Sequence, residues 1–372
     1  MKICFFGDAA ALHLWRWSRY FVNKGYEVHV ITFNPNILDG YEPVNVHVIR
    51  KQMPGSALIF RIMSLIPLML DIKKIIRNIN PDIIHSHSVV GYAWIAMLTG
   101  FHPFIVTPWG SDIFIDIQKS KIEKLFTTLA LKKADLITCD GSSLRKALTK
   151  LGIKPKKIYH ICWGTDTRTF NPKQGSKKIR EDLGIFNSPM IISSKNLEPI
   201  YDIESLVKSI SLVLKKVPKA KFVIAGRGSQ EAELKQLAKS MGVSNSIKFI
   251  GFIPSDKVPK YLASADIYVC TSLSEGGLAI STKEAMASEL PVVITDLEVN
   301  TEWIENGANG FVIPPKDPKS LAEKIIYLIE HEDVRMKFGE LGRKLVKESF
   351  EYDKELKKVE NIYAQLIREH KK

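Results

Sequence analysis

Ser274 to Asp296 read SEGGLAISTKEAMASELPVVITD, and this stretch decides the fold. It follows one apolar run, 266–270, and contains another, Pro291-Val292-Val293-Ile294. Short continuous apolar runs suit strands buried on both faces of a parallel sheet, and parallel strands need helical crossovers between them. The segment between the runs supplies one: Gly276-Gly277 make a turn, and Ile280 to Ser288 read as a helix. Glu275 then falls at the carboxyl end of a strand, where open α/β sheets place their ligands. Gly276 and Gly277 let backbone amides approach a ligand with no side chain between. The start of the helix presents free N–H groups and a partial positive charge suited to phosphate. Glu284, one turn into that helix, is a carboxylate that can accept two hydroxyls of a ribose; an ordinary glycine turn with a surface glutamate is the competing reading.

The same alternation extends in both directions. Candidate strands in the first half are 2–6, 27–33, 45–49, 82–85, 104–107, 135–138 and 158–161. In the second half they are 190–194, 221–225, 247–250, 266–270, 291–294 and 310–313. Strand–helix alternation twice over predicts two doubly wound α/β domains, Rossmann-like, facing each other across a cleft. The expected division is 1–168 and 169–350, with a hinge in the polar stretch Thr165 to Lys178 around Asn171-Pro172. A terminal helix, 351–372, carries Leu356, Val359, Ile362, Tyr363 and Leu366 at helical spacing, and is expected to rejoin the first domain. No internal repeat points to a solenoid or propeller.

Composition agrees with such a chain. Its 372 residues are 45% apolar and 25% charged, with 22 Gly and 18 Pro, which excludes collagen-like and mainly disordered chains. Cys4, Cys139, Cys162 and Cys270 lack paired short spacing, so neither a zinc ribbon nor a disulfide framework is expected. The opening Met1 to Gly7 reads as a strand running into a turn, without a secretory signal, and the expected location is cytoplasmic. Net charge is +13, and residues 1–170 hold 22 Lys+Arg against 12 Asp+Glu. That asymmetry points the first half toward an anionic partner, with a solvated basic surface as the competing reading. Nucleic acid is not expected, because no recognised binding motif accompanies the charge. The apolar-basic segment Ile59 to Arg77, with Phe60, Ile62, Leu65, Ile66, Leu68, Met69, Lys73 and Lys74, suggests peripheral binding to anionic lipid on the cytoplasmic membrane face. A core helix with a basic edge is the competing reading.

Further candidate residues cluster after other strands. Lys195, in SSKNLEPIY after 190–194, could neutralise a pyrophosphate or be a solvated loop lysine. Gly226-Arg227-Gly228 after 221–225 tolerate close approach of a nucleotide, although Gly-rich turns are common there. Gly7-Asp8 follow the opening strand without forming a G-x-G-x-x-G fingerprint. His85-Ser86-His87 lack a carboxylate or Cys set to complete a metal site, and read as a structural pair at a strand end. Trp109-Gly110-Ser111-Asp112 supply an aromatic wall and a carboxylate, or serve only to pack the sheet edge. Every one of these clusters falls on the carboxyl end of an expected strand.

Taken together, these motifs resemble the family-4 retaining glycosyltransferases of the GT-B fold over nearly the whole chain. In the second half the resemblance rests on Ser274-Glu275-Gly276 through Glu284-Ala285-Met286-Ala287, on Pro291-Val292-Val293, and on Phe249 to Pro254. Glu302-Trp303-Ile304, Gly307 to Gly310 and Ala265-Asp266 add to it. In the first half it rests on Asp82 to His87, Trp109 to Asp112, and Gly164-Thr165-Asp166 with Phe170. The chain departs from the family pattern in having eight residues between Glu275 and Glu284 where seven are usual. Lys195 stands for the usual arginine, Tyr201 near a usual second cation, and Trp109 for a usual histidine.

The resemblance implies transfer of a sugar from a UDP- or GDP-linked donor to a glycan or lipid-linked acceptor, in cell-surface polysaccharide or glycoconjugate assembly. Anomeric configuration would be retained, with no cofactor and no obligatory metal. It implies that Glu275 meets sugar hydroxyls and Glu284 the ribose. The amides of Gly277, Leu278 and Ala279 would approach the sugar and distal phosphate. Lys195 would hold the pyrophosphate, and backbone near Phe252 the base. Gly7, Gly226 and Arg227 join the donor-binding set, and Asp112 is the first-domain carboxylate expected to orient the acceptor or act as an auxiliary base. Two other readings stay open: a nucleotide-sugar 2-epimerase of the same fold, and a non-catalytic donor-binding subunit of a glycan-assembly complex.

Overall fold

The computed structural model describes residues 1–38, 40–49 and 58–371, and for 58–66 it describes the helix but not the side chains. The chain divides into two compact units, Met1–Ile161 with Leu356–Lys372, and Cys162–Glu355. Each is built on a parallel sheet.

In the first unit the strands are β1 (Lys2–Phe6), β2 (Glu27–Thr32), β3 (Asn45–Val48), β4 (Ile83–His87), β5 (Phe104–Thr107), β6 (Leu136–Cys139) and β7 (Ile158–His160). Their order is β3-β2-β1-β4-β5-β6-β7, with parallel pairing throughout. In the second unit they are β8 (Met190–Ser193), β9 (Lys221–Ala225), β10 (Ile247–Gly251), β11 (Ile267–Cys270), β12 (Val292–Thr295) and β13 (Phe311–Ile313). The order there is β10-β9-β8-β11-β12-β13, again parallel. Each strand coincides, within a residue or two, with an apolar run read from the sequence. The winding direction reverses between β1 and β4, and between β8 and β11. A crevice opens outside the carboxyl ends of the strands at such a reversal.

The period of two explains why many of these runs are apolar nearly throughout. In the second unit Ile191, Phe222, Ile224 and Val293 enter one core, while Ile192, Val223, Tyr268 and Ile294 enter the other. Successive side chains point to opposite faces, and both faces are covered by helices.

The chain passes between units earlier than residue 168. The Cys162 N–H donates to the Glu355 carboxylate at 2.9 Å, and the Thr165 N–H to the Phe350 carbonyl at 2.8 Å. These bonds hold 162–168 with 350–355 in the second unit. Beyond them the helix Tyr352–His370 buries Leu356, Val359, Ile362, Tyr363 and Leu366. Tyr363 stacks on Phe21 with ring centroids 5.2 Å apart, and its hydroxyl meets His85 Nδ1 at 2.5 Å.

His85 and His87 are fully buried in β4, as a structural pair should be. Burial holds both imidazoles neutral, His85 well below its ordinary range and His87, with a contribution from His13, at about 3. Helix Leu58–Ile79 turns Leu68, Ile72, Ile76 and Ile79 into the first core. Of the segment read as lipid-binding, Leu68 is therefore a core residue and Met69 packs against that core, so neither faces lipid, while Phe60, Ile62, Leu65 and Ile66 lie outside the described side chains. No described helix is long and apolar enough to cross a membrane.

Candidate functional site

At the reversal in the second sheet, the loop after β8 and the loop after β11 face each other. Lys195, from the first, donates to Glu275 Oε1, from the second, at 2.6 Å. Their side chains are only 11% and 16% exposed. Two bonds fasten the loops together: Thr271 Oγ1 donates to the Tyr201 carbonyl and the Leu273 N–H to the Ile200 carbonyl, both at 2.8 Å. The extra residue between Glu275 and Glu284 therefore does not separate Glu275 from Lys195.

The lysine is held as a cation. Burial opposes its charge, yet the Glu275 carboxylate, helped by Cys270 and Tyr268, keeps its pKa above the ordinary lysine value. Its ammonium also lies 4.6 Å from the centre of the Tyr201 ring, a cation–π distance. Tyr201, noted from sequence only as a residue standing near a missing cation, is thus part of the site. Beneath the pair, burial and then Cys270 hold the Tyr268 hydroxyl above its usual range, so it stays neutral.

Gly226 and Phe252 sit at the carboxyl ends of β9 and β10. Gly226 has φ +138°, and a Cβ there would stand 2.2 Å from the Lys195 carbonyl oxygen; only glycine fits. Its N–H donates to the Gly251 carbonyl at 2.8 Å. Arg227 is exposed beside it, and Phe252 is 67% exposed. Glu198 braces this neighbourhood by accepting from the Ser229 N–H at 2.9 Å and the Ser229 hydroxyl at 2.5 Å. Sequence reading quoted Glu198 but gave it no role; its signal was a carboxylate facing the small residues Gly228 and Ser229.

Gly277 is buried, and Leu278 and Ala279 beside it are 1% and 6% exposed. Leu278 belongs to the second core, which pins the loop from below. Helix Ile280–Ala287 starts at Ala279 without a side-chain cap. Its first amides are then the kind of donors that an anion satisfies. Glu284 lies within the helix, 7% exposed.

Gly7 and Asp112 belong to the first unit, at the carboxyl ends of β1 and β5. A Cβ on Gly7 would meet Leu14 Cδ2 at 2.8 Å. Asp112 is 2% exposed and accepts three backbone N–H groups, from Val89 at 2.9 Å and from Trp109 and Gly110 at 3.0 Å. Burial pushes its carboxyl up to about 6 against those bonds. Trp109 meets His13 edge-on, with centroids 6.0 Å apart.

Two other features lie at the opposite ends of the strands. A cavity of about 720 Å³ includes Arg180, Pro189, Lys219 and Asp266. Its Arg180 is committed to Asp266 at 2.7 Å and to the Ser188 and Ser264 carbonyls. In the first unit His102, Asp135 and His370 bring ligand-type atoms within 4.8 Å, but Asp135 already accepts from the Phe104 N–H at 2.7 Å. The Lys195–Glu275 crevice is the better site, because it lies at the winding reversal and combines a held charge with an uncapped helix start.

Comparison with known proteins gives two matching families. One described as "Glycosyl transferases group 1" matches residues 175–345, and one described as "Glycosyl transferase 4-like" matches residues 2–141. Among relatives, the N-acetyl-alpha-D-glucosaminyl L-malate synthase of Bacillus anthracis is 24% identical over 370 residues, covering 95% of this chain and 93% of its own. A GDP-mannose-dependent monoacylated alpha-(1-6)-phosphatidylinositol monomannoside mannosyltransferase of Corynebacterium glutamicum is 29% identical over 220 residues, 57% of each chain. Among solved structures, Anabaena HepE in complex with UDP and glucose has a TM-score of 0.84 at 21% identity, covering 98% of this chain and all of that one.

Proposed function

The chain belongs to the group 1 glycosyl transferases and has their GT-B fold, and on that premise we propose that it moves a hexose from a nucleotide diphosphate sugar, with retention. The acceptor is a glycan or a lipid-linked glycan in polysaccharide or glycoconjugate assembly. The observation that carries the reading is the part-buried Lys195–Glu275 pair at the winding reversal, 2.6 Å apart, beside the uncapped start of helix Ile280–Ala287. Relatives whose names specify GDP-mannose and a neighbour holding UDP support a nucleotide-linked donor.

In this reading the diphosphate lies against the Lys195 ammonium and the amides of Gly277, Leu278 and Ala279. These fixed positive groups stabilise charge as it develops on the leaving phosphate. Glu284 takes the ribose hydroxyls, backbone near Phe252 the base, with Gly226 and Arg227 alongside. Glu275 meets the sugar. The bond from the anomeric carbon to the phosphate oxygen breaks while the bond to the acceptor oxygen forms on the same face. The acceptor proton passes to the departing diphosphate. Asp112 orients the acceptor or serves as auxiliary base. No step requires a metal ion or cofactor.

The test is turnover of UDP- and GDP-linked hexoses in strong chelator, with the product's anomeric configuration read by NMR. A retained product, formed at the parental rate in chelator, is expected. An inverted product overturns the retaining assignment, and donor turnover without any need for an acceptor favours the 2-epimerase reading. Absence of all donor turnover favours a non-catalytic donor-binding subunit.

A further inference from the structure

Helix Lys121–Lys133, in the first unit, has an outward face that its own fold does not cover. Ile122, Leu125, Phe126 and Leu129 are 54%, 57%, 36% and 41% exposed. Their spacing is i, i+3, i+4, i+7, a continuous stripe along one side of a helix. Among the described residues no other group of large exposed apolar side chains has that spacing. Exposed apolar residues scattered singly are ordinary, whereas a contiguous stripe marks a contact surface.

The helix cannot turn this face inward. Its opposite side is occupied by Thr127, Ala130 and Leu131, all fully buried. Trp94 Nε1 donates to Thr127 Oγ1 at 3.2 Å, and the Trp94 ring packs 5.7 Å from that of Phe126. Ser120 caps the start by accepting from the Glu123 N–H at 3.1 Å. The stripe is therefore a fixed feature of the folded unit.

Charge identifies what covers it. Lys121, Lys124, Lys132 and Lys133 are all exposed on this helix, and among the described residues none of them is in an ion pair. Glu123 is the helix's one acidic residue. An apolar stripe rimmed by lysines matches a surface that is apolar within and anionic at its edge. A second copy of the chain fits poorly, because a two-fold contact would set lysines against lysines. We propose that helix Lys121–Lys133 is where this protein rests on an anionic lipid bilayer, the stripe entering the headgroup boundary and the lysines meeting the lipid charges. The proposal goes beyond the donor reading and does not depend on it.

Co-sedimentation with phosphatidylglycerol–phosphatidylcholine vesicles and with phosphatidylcholine alone tests it. The parent is expected to partition onto the anionic vesicles and not the neutral ones. Ile122→Ser/Leu125→Ser should bind at least about tenfold more weakly, since two side chains no longer leave water. Lys121→Gln/Lys132→Gln should bind more weakly and with a flatter salt dependence, and it keeps the test intact if the first variant folds poorly. A parent that ignores anionic vesicles at low salt, or variants that both partition like the parent, would overturn the proposal. So would a dimer of the parent, seen by light scattering, that the Ile122→Ser/Leu125→Ser change abolishes. UDP and GDP binding, measured on the same samples, should be parental in both variants. A failure of lipid binding is thereby separated from a failure of the donor reading.

Discussion

At the scale of single residues, the Lys195–Glu275 pair joins stability to function. Removing one member of this part-buried ion pair leaves the other charge without its partner, a loss bounded by the roughly 3–5 kcal/mol that a fully buried pair would cost. Lys195→Ala is expected to lower both the melting temperature and the affinity for nucleotide diphosphate. Glu275→Gln keeps an acceptor for the ammonium, so it should lower turnover far more than nucleotide affinity; equal losses of both would contradict its assignment to the sugar. Asp112 gives a second residue-level expectation. Its carboxyl titrates near 6 when folded and near 4 when unfolded, so between those values the folded state binds the extra proton. Its contribution to stability therefore falls as pH rises from 4 to 6 and is level above. Subtracting the melting curve of Asp112→Asn from that of the parent across this range should expose that slope, and a flat difference would contradict the buried placement.

Elements show how much could be read in advance. Most of the described strands coincide with apolar runs because burial on both faces favours apolar residues, although β4 buries His85, Ser86 and His87 and the edge strand β3 is only partly covered. The Ser274–Asp296 stretch likewise announced its loop and helix, since glycine and helical composition are local signals. Strand order is not local. Lys195 and Glu275 are 80 residues apart, and only the placement of β11 beside β8 brings them together. The unit boundary was hidden for the same reason, because the partners of 162–165 lie at Phe350 and Glu355. The exposed stripe on helix Lys121–Lys133 also escaped reading: Ile122, Leu125 and Leu129 have the spacing of core residues, and only packing shows which face is buried.

Two expectations belong to elements. Gly226→Ala would force a Cβ against the Lys195 carbonyl, shifting the loop after β8, so it should weaken nucleotide binding without touching a charged group. Parental binding by this variant would show that the two loops are not coupled. In β4, His85 and His87 are neutral when folded and protonate near 6.5 when unfolded. Their contribution is complete above about pH 6.5 and is lost as pH falls toward the folded values, so acid should destabilise the first unit. His87→Gln should shallow the acid slope of the melting temperature; an unchanged slope would argue that His87 is not buried neutral.

For the whole molecule, the proposed function requires that the crevice of the second unit hold a nucleotide diphosphate. Isothermal titration of UDP and of GDP into the parent and into Glu284→Gln tests this requirement. The parent is expected to bind one of the two nucleotides. Glu284→Gln should bind it roughly tenfold more weakly or worse, because charge-assisted hydrogen bonds contribute about 1.5–3 kcal/mol. A parent that binds neither nucleotide, or a variant that binds as the parent does, would contradict it.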